Sequence, residues 1–189
     1  MTASRIILVR HAKPVLDASL PPRAWSLPPA SHVQVERLVP PLLALGVDAV
    51  IASPEIKARQ TGQVIADALH MRLAIDADIR EQGGEHVPWI AREEAFRQAV
   101  VEHFARPEEA VLGEETSREA AERFSQAVAR ARLAYGCPVL VTHGRILSGY
   151  MGREFDVDPI KIWPDLRMPD AFEIDLDART WTRIEEEQL

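Results

Sequence analysis

Short apolar runs alternate along the chain with longer stretches in which apolar residues recur every three or four positions. Each short run is bounded by polar residues, which is typical of a buried strand. The predicted strands are residues 4–9, 48–52, 72–75 and 138–141, and a C-terminal pair at 171–176 and 180–184. This last pair is joined by a tight turn around Asp177-Ala178.

The longer stretches predict helices, because their apolar residues fall on one face. Ser53-Pro54-Glu55 offers an N-cap, a proline at the first helical position and an early acid, which together open a helix that runs to about Leu69. Thr116 and Glu119 have the spacing of a capping box. The other predicted helices cover about 31–39, 91–105 and 117–134, and one begins after residues 142–144; the prolines at 40 and 41 stop or kink the first.

Alternation of strands and helices predicts the fold class. It indicates a three-layer α/β sandwich with a mostly parallel central sheet, an antiparallel edge and helices on both faces. The two helices within residues 90–135 interrupt the alternation and predict a small helical cap segment at about 85–135. We expect one domain over residues 1–189 with this segment inserted into it.

Composition narrows the classes of protein that remain. The chain has 189 residues and a net charge of −7, with no basic run, which argues against nucleic acid as the main partner. No apolar run approaches ~18 residues, so neither a signal peptide nor a membrane span is expected. The single Cys137 excludes an intramolecular disulfide and a cysteine-built metal site. These features predict a cytoplasmic protein that does not associate with membranes.

Polar residues follow the predicted strands at the edge of the sheet where ligands bind in such folds. His11, preceded by Arg10, ends one strand, and His143 ends another. A third strand ends at Ser53 and leads into a helix that carries Arg59. We therefore expect two histidines and two arginines to converge at one edge of the sheet.

This set of residues suits phosphoryl transfer. A neutral imidazole attacks phosphorus, and guanidinium groups match the geometry and charge of the phosphoryl oxygens. A leaving alkoxide also needs a proton, which a carboxylic acid supplies. Arg10, His11, Arg59, His143 and Glu81 provide these groups without any metal ligand.

The segment Leu8-Val9-Arg10-His11-Ala12 is followed along the chain by four other short motifs. These are residues 53–61 (SPEIKARQT), 78–81 (DIRE), 113–115 (GEE) with Arg123, and 139–144 (VLVTHG). In this order they resemble the signature segments of the histidine phosphatase (phosphoglycerate mutase-like) superfamily, and in particular its small phosphatase branch. The resemblance extends over nearly the whole chain.

The resemblance implies a role for each candidate residue. His11 is implied to be the nucleophile that becomes a phosphohistidine, and Glu81 the general acid that later serves as the base for water. Arg10, Arg59 and His143 are implied to hold the phosphoryl group, and Gly144 belongs to the same phosphate site. The implied activity is that of a phosphoric monoester hydrolase that needs neither a metal nor a cofactor.

Three positions depart from the family pattern. Ala12 replaces the usual glycine, and Ser31 replaces a glycine at a helix start. Asp17 stands where the family often has an asparagine that touches phosphate, and a carboxylate there would repel phosphate unless it is protonated or turned away. Asp17 is therefore counted with the phosphate site, and Glu85 is the substitute candidate for the acid.

Three functions fit these residues. The first is a phosphatase acting on a small phosphomonoester; the second is a phosphomutase using the same phosphohistidine, for which 189 residues is short; the third is a non-catalytic phosphate-binding regulator. Substrate recognition is expected from residues 13–23, from residues 82–115 and from Arg145, while the substrate and the oligomeric state stay open. The other histidines, which are expected on surfaces or helix faces without a function, are His32, His70, His86 and His103.

Overall fold

A computed structural model describes residues 5–83 and 90–185 of the chain. Within these residues the strands form one six-stranded sheet in the order β3-β2-β4-β1-β5-β6. The strands are β1 (Arg5–Arg10), β2 (Ala49–Ala52), β3 (Leu73–Ile75), β4 (Pro138–Thr142), β5 (Asp170–Asp175) and β6 (Thr180–Arg183).

The sheet is parallel at its centre and antiparallel at one edge. β4 pairs in parallel with β1 and β2, and β2 pairs in parallel with β3, whereas β5 runs antiparallel to both β1 and β6. Arg10 lies opposite Thr142 in this register, so the residues that follow, His11 and His143, leave the sheet side by side. The predicted fold class is confirmed.

Seven α-helices and three short 3-10 helices connect the strands of the described part. The 3-10 helices are Pro22–Ala24, Ala77–Ile79 and Trp163–Asp165. The α-helices are α1 (Pro29–Glu36), α2 (Val39–Ala44), α3 (Ile56–Ala68), α4 (Glu93–Ala105), α5 (Ser117–Ala134), α6 (Gly144–Phe155) and α7 (Pro159–Ile162).

The observed helix ends agree with those predicted from the sequence at one helix and differ from them at two. Thr116 and Glu119 form the predicted capping box of α5. Ser53 does not cap α3, which begins at Ile56 with Glu55 as its N-cap, because the Ser53 hydroxyl is occupied by the Glu55 N–H and the His143 ring. The prolines at 40 and 41 lie in the first turn of α2, where an N–H has no helical partner to lose, so they begin a helix instead of ending one.

Alternate residues of the central strands face opposite sides of the sheet. Ile6 and Leu8 pack with residues of α5 and α6 on one face. Ile7 and Val9 pack with residues of α1, α2 and α3 on the other. Helices therefore cover both faces, and the apolar run of β1 is explained by its burial on two sides.

The segment predicted as a helical cap divides into two parts in the structure. α5 lies in the layer that covers the sheet, and its Phe124 contacts Tyr150 of α6 with ring centres 5.0 Å apart. α4 packs against α7, and its Phe96 contacts Trp163 at 5.8 Å. No helix in the described part of the chain is long and apolar enough to cross a bilayer.

Candidate active site

The carboxyl ends of the central strands open into a cleft of about 610 Å³. Its walls are mostly apolar and include Leu16, Pro22, Trp25, Phe96, Trp163 and Leu166. A polar patch, here called the floor, lies among these walls where the strands end. The floor residues that line the cleft are Arg10, His11, Glu55, Lys57, Glu81 and Gly144.

His11 follows β1 directly and is held by backbone groups on two sides. Its N–H donates to the Thr142 carbonyl oxygen at 2.9 Å, and its ring Nδ1 lies 2.8 Å from the Ala12 carbonyl oxygen. Because a carbonyl oxygen only accepts, the ring hydrogen lies on Nδ1 and the lone pair on Nε2. Burial, together with the nearby His143 ring and Lys57 ammonium, lowers the pKa of His11 well below its usual value. The ring is therefore neutral at neutral pH.

His143 follows β4 and is completely enclosed. Its Nε2 lies 2.8 Å from Ser53 Oγ and 3.5 Å from Glu55 Oε1, and its ring centre is 5.1 Å from that of His11. Burial is the main reason that the pKa of His143 also lies well below its usual value, and the Lys57 charge adds to the effect. The two histidines therefore meet as two neutral rings.

Arg10 and Gly144 lie together at the start of α6. The Arg10 Nη1 donates to the Leu166 carbonyl oxygen at 2.7 Å, which orients the guanidinium. A Cβ added at Gly144 would lie 3.0 Å from the Arg10 Nε, so the glycine leaves the space in which the guanidinium packs against the helix start. Burial lowers the pKa of Arg10 from its ordinary value, although the carboxylates of Glu81 and Asp170 oppose the shift.

The cation that α3 contributes to the cleft is Lys57 and not Arg59. Lys57 is 6% exposed, and its Nζ donates to Glu55 Oε2 at 2.5 Å and to the Pro22 carbonyl oxygen at 2.9 Å. Arg59 is exposed and does not line the cleft. Helical residues turn by about 100° each, so a side chain two positions later points roughly to the opposite side. The sequence prediction for Arg59 is corrected accordingly.

Glu81 lies in the loop after the second 3-10 helix and binds the beginning of α6. Its Oε1 accepts from the N–H groups of Gln82 at 2.9 Å and Ile146 at 3.0 Å, and its Oε2 accepts from the Arg145 N–H at 3.2 Å. Burial would raise the pKa of Glu81, but the Arg145 charge and the hydrogen bond from the Gln82 N–H act against it, and the resulting pKa lies below the usual value. The carboxyl group is therefore ionised in the unliganded protein.

The loop that carries Glu81 is tied to the segment before α5 by an ion pair. Arg123 Nη2 lies 2.5 Å from Glu115 Oε1, and Arg123 Nη1 donates to the Asp78 carbonyl oxygen at 2.5 Å. The Gly83 N–H donates to Glu115 Oε1 at 3.3 Å. The motif that spans residues 113–115 and Arg123 thus holds the loop around Glu81, here called the acid loop, in place.

Two further contacts bring the same loops together. The Gln82 Nε2 donates to the carbonyl oxygens of Leu112 at 3.0 Å and Glu115 at 2.8 Å. Gly113 has a φ of +98°, and a Cβ added there would lie 2.1 Å from the Gly83 carbonyl oxygen. A residue with a side chain would therefore push the two loops apart at this point.

Arg145 connects α6, the acid loop and α4. Its Nη2 donates to the Gln82 carbonyl oxygen at 3.0 Å, its Nε lies 3.6 Å from Glu81 Oε2, and its Cζ lies 5.9 Å from the centre of the Phe96 ring. Arg145 lines the cleft, where substrate recognition was expected of it. The Arg145 guanidinium charge also lies close to the Glu81 carboxylate.

His103, predicted to lie on a surface or a helix face without a function, is a residue of α4 and is buried at 1% exposure. Burial, with the Arg145 charge as the next cause, lowers the pKa of His103 to about 4. His103 lies three positions after the buried Val100, so helical spacing places both side chains on the same face of α4. His86, the substitute acid Glu85 and the rest of 84–89 lie outside the described residues.

Asp17 does not line the cleft. Its Oδ1 accepts from the Ser19 N–H at 2.8 Å and from the Ser19 hydroxyl at 2.6 Å. These hydrogen bonds lower the pKa of Asp17 and fix the carboxylate in its own turn. The predicted phosphate contact of Asp17 is therefore corrected, because the carboxylate is turned towards Ser19.

The floor offers what phosphoryl transfer requires: a neutral imidazole, buried cations and a carboxyl group. No group of three or more His, Cys, Asp or Glu within residues 5–83 and 90–185 could hold a metal ion. Fold and site thus define a class of α/β proteins whose cleft lies at the carboxyl ends of parallel strands and contains two strand-end histidines. A sequence profile of the histidine phosphatase superfamily (branch 1) matches residues 6–182, and the chain belongs to this family. Membership supports assignment as a phosphoric monoester hydrolase.

Solved structures with the same fold include several phosphatases. A mycobacterial glucosyl-3-phosphoglycerate phosphatase with inorganic phosphate has 17% identity and a TM-score of 0.71, covering 97% of both chains. Bacillus stearothermophilus YhfR has 20% identity and a TM-score of 0.74, covering 96% of this chain and 95% of its own. Phosphoserine phosphatase from Entamoeba histolytica, with 3-phosphoglyceric acid, has 13% identity and a TM-score of 0.67, covering 98% and 97%. Among curated proteins, none matches the chain significantly.

Proposed function

We propose that this protein is a phosphatase that hydrolyses a phosphomonoester through a phosphohistidine on His11. The observation that carries the proposal is the hydrogen bond from His11 Nδ1 to the Ala12 carbonyl oxygen, which leaves the Nε2 lone pair on a ring that lines the floor. Arg10 and Lys57 supply the positive charge that a phosphoryl group needs. His143, beside His11, and the start of α6 at Gly144 complete the phosphate site.

In the first step, His11 Nε2 attacks phosphorus, the N–P bond forms and the bond to the ester oxygen breaks. The leaving alkoxide takes a proton from Glu81, whose side chain becomes a carboxylate. The low pKa of Glu81 leaves its carboxylate ionised before substrate binds, so this proton must arrive with the substrate. A monoanionic phosphate ester can bring it. The nearby phosphate charge then favours the protonated acid.

In the second step, the Glu81 carboxylate takes a proton from water, whose oxygen attacks phosphorus while the N–P bond breaks. His11 returns to its neutral form, and inorganic phosphate is released. Glu81 releases this proton once phosphate has left, because its pKa lies below the usual value, and the next ester brings a new one. An acid that is readily ionised suits this second role directly.

The walls of the cleft favour a leaving group with nonpolar surface. Trp25, Phe96 and Trp163 present aromatic rings above the floor, and apolar walls of this kind bind apolar parts of a ligand. Arg145 lines the same cleft beside Glu81, where its guanidinium can meet a polar group of the ester. The phosphatase neighbours are named for small phosphorylated substrates, which agrees with a small ester here.

A screen of phosphomonoesters for phosphate release tests the proposal. We expect phosphate from nitrophenyl and naphthyl phosphates at a higher kcat/KM than from glycerol phosphate, in the presence of chelator and without any added cofactor. Activity that requires a bisphosphorylated cofactor would identify a mutase instead. Binding of phosphate without turnover of any ester would identify a regulator.

A further inference from the structure

Glu55 is a carboxylate in the floor for which the hydrolytic mechanism above has no use. It is the N-cap residue of α3, but its side chain makes no capping hydrogen bond with the helix. The side chain is 13% exposed and lines the cleft instead. An acid at a helix start ordinarily binds the free N–H groups there, so a different contact must hold this one.

Three groups of the floor surround the Glu55 carboxylate. Its Oε2 lies 2.5 Å from Lys57 Nζ, its Oε1 accepts from the Glu81 N–H at 2.9 Å, and the same Oε1 lies 3.5 Å from His143 Nε2. These contacts come from α3, from the acid loop and from the end of β4. Glu55 is therefore the side chain that touches the cation, the acid residue and the second histidine together.

Lysine needs such a partner more than arginine does. An ammonium group is a compact charge on a flexible stem, whereas a guanidinium group is a planar fork that binds phosphate through two parallel hydrogen bonds. Lys57 is held at one side by the Pro22 carbonyl oxygen and at the other by Glu55, and this fixes an ammonium that could otherwise turn away from the floor.

We infer that Glu55 is a positioning residue, which holds the Lys57 ammonium in the phosphate site so that a lysine can serve where an arginine would need no such support. This inference rests on the proposed phosphatase function. It assigns Glu55 no proton transfer and no contact with the reacting atoms. It also predicts that the requirement for Glu55 depends on which cation stands at position 57.

A set of four variants tests this dependence: Glu55→Leu, Lys57→Arg, the double variant, and Glu36→Leu as a matched control on the exposed end of α1. The readouts are kcat/KM for nitrophenyl phosphate and the Kd of inorganic phosphate by calorimetry. We expect Glu55→Leu to lower kcat/KM about 100-fold and to weaken phosphate binding about 10-fold. Adding Lys57→Arg to Glu55→Leu should bring both values to within about 5-fold of those of the Lys57→Arg protein.

The rescue separates positioning from a general structural role, because a destabilised floor would not be repaired by an arginine at position 57. A double variant as impaired as Glu55→Leu alone would overturn the inference, as would a Glu55→Leu protein with wild-type phosphate affinity. If circular dichroism shows that Glu55→Leu does not fold, Glu55→Gln replaces it. Gln keeps an oxygen for the Glu81 N–H but loses the charge, and its smaller defect should be relieved by the same arginine.

Calorimetry also keeps this inference apart from the proposed function. If the wild-type protein binds phosphate but hydrolyses no ester, the phosphatase proposal fails, while the dependence of phosphate affinity on Glu55 and Lys57 is still decided. A wild-type protein that neither binds phosphate nor turns over any ester overturns both.

Discussion

The cleft is built from two halves that hold their side chains in different ways. In the strand half, Arg10, His11 and His143 continue directly from paired strands, so the register between β1 and β4 fixes where they lie. In the helix-and-loop half, Lys57 and Glu81 are held by contacts between side chains and by single N–H groups.

This difference determines which substitutions each half of the cleft can accept. A strand-end residue cannot be moved without moving a strand whose other residues are buried on both faces. The helix-and-loop half can exchange one cation for another if a neighbouring side chain compensates, as the Glu55–Lys57 pair indicates. We therefore expect the residues of the strand half to tolerate no displacement, and those of the other half to accept changes that a neighbouring side chain compensates.

Replacement of His11 should have the largest effect, because it removes the proposed nucleophile. We expect His11→Ala to lower kcat by at least about 10⁴-fold and to abolish the phosphoenzyme trapped by acid-free rapid quench with radiolabelled substrate. His70→Ala, at an exposed position after α3, is the matched control. A labelled enzyme that persists in His11→Ala would place the phosphohistidine elsewhere.

The two cations of α3 offer the sharpest contrast in the helix-and-loop half. Lys57→Ala should lower kcat/KM by about 10²–10³-fold, since a buried charge aimed at the phosphoryl group is lost. Arg59→Ala should change it less than about 2-fold, because surface charges contribute little. Steady-state kinetics on one ester decide the comparison. A larger loss for Arg59 would contradict the placement of α3 in the structure.

Glu81→Gln tests whether the carboxyl group of the helix-and-loop half gives a proton to the leaving group. An alkyl phosphate, whose alkoxide needs a proton, should lose about 100-fold in kcat. A nitrophenyl phosphate, whose leaving group needs little proton assistance, should lose less than about 10-fold. An equal loss on both esters would assign Glu81 to binding and to holding the start of α6, and not to proton transfer.

His103 lies behind the helix-and-loop half, and its burial should make stability depend on pH. Because the pKa of His103 is about 4 in the folded protein, the unfolded chain binds more protons between pH 6.5 and 4. The free energy of unfolding should therefore fall as the pH is lowered through this range. His103→Leu should remove a part of this fall on the order of 3 kcal/mol in urea titrations. A pH dependence parallel to that of wild type would show that His103 titrates normally.

Asp17→Asn should have the smallest effect. The Asp17 carboxylate accepts two hydrogen bonds from Ser19 and does not line the cleft. We expect the inhibition constant of phosphate to change less than about 2-fold at every pH between about 5 and 8. A gain in phosphate affinity that grows with pH would instead show that the carboxylate turns into the site.

The fold and the strand half of the site could be predicted from the sequence for one physical reason. Buried strands are short apolar runs, and their carboxyl ends meet at one edge, so His11 and His143 follow from the pattern alone. The side-chain contacts of the helix-and-loop half produce no comparable pattern in the sequence. Glu55 reads as an ordinary acid at a helix start, and its contacts with Lys57 and His143 exist only after folding.

Two errors of prediction did have signals in the sequence. Lys57 is in phase with Thr61 and Ile65 on the buried side of α3, whereas Arg59 is in phase with the exposed Gln63, so helical periodicity favours the lysine. For Asp17, the order Asp-Ala-Ser is typical of a side chain that binds the backbone two residues later.

The pairing of β1 has a consequence for how the protein is made. β1 leaves the ribosome first, but its partners are β4 and β5, with Ile7 opposite Val139 and Leu8 opposite Phe172. During synthesis, the segment bearing His11 must wait until most of the chain has been translated before its neighbours arrive. Contacts of such long sequence separation form late and slowly. A nascent chain therefore carries His11 before the strands that surround it in the folded protein have been made.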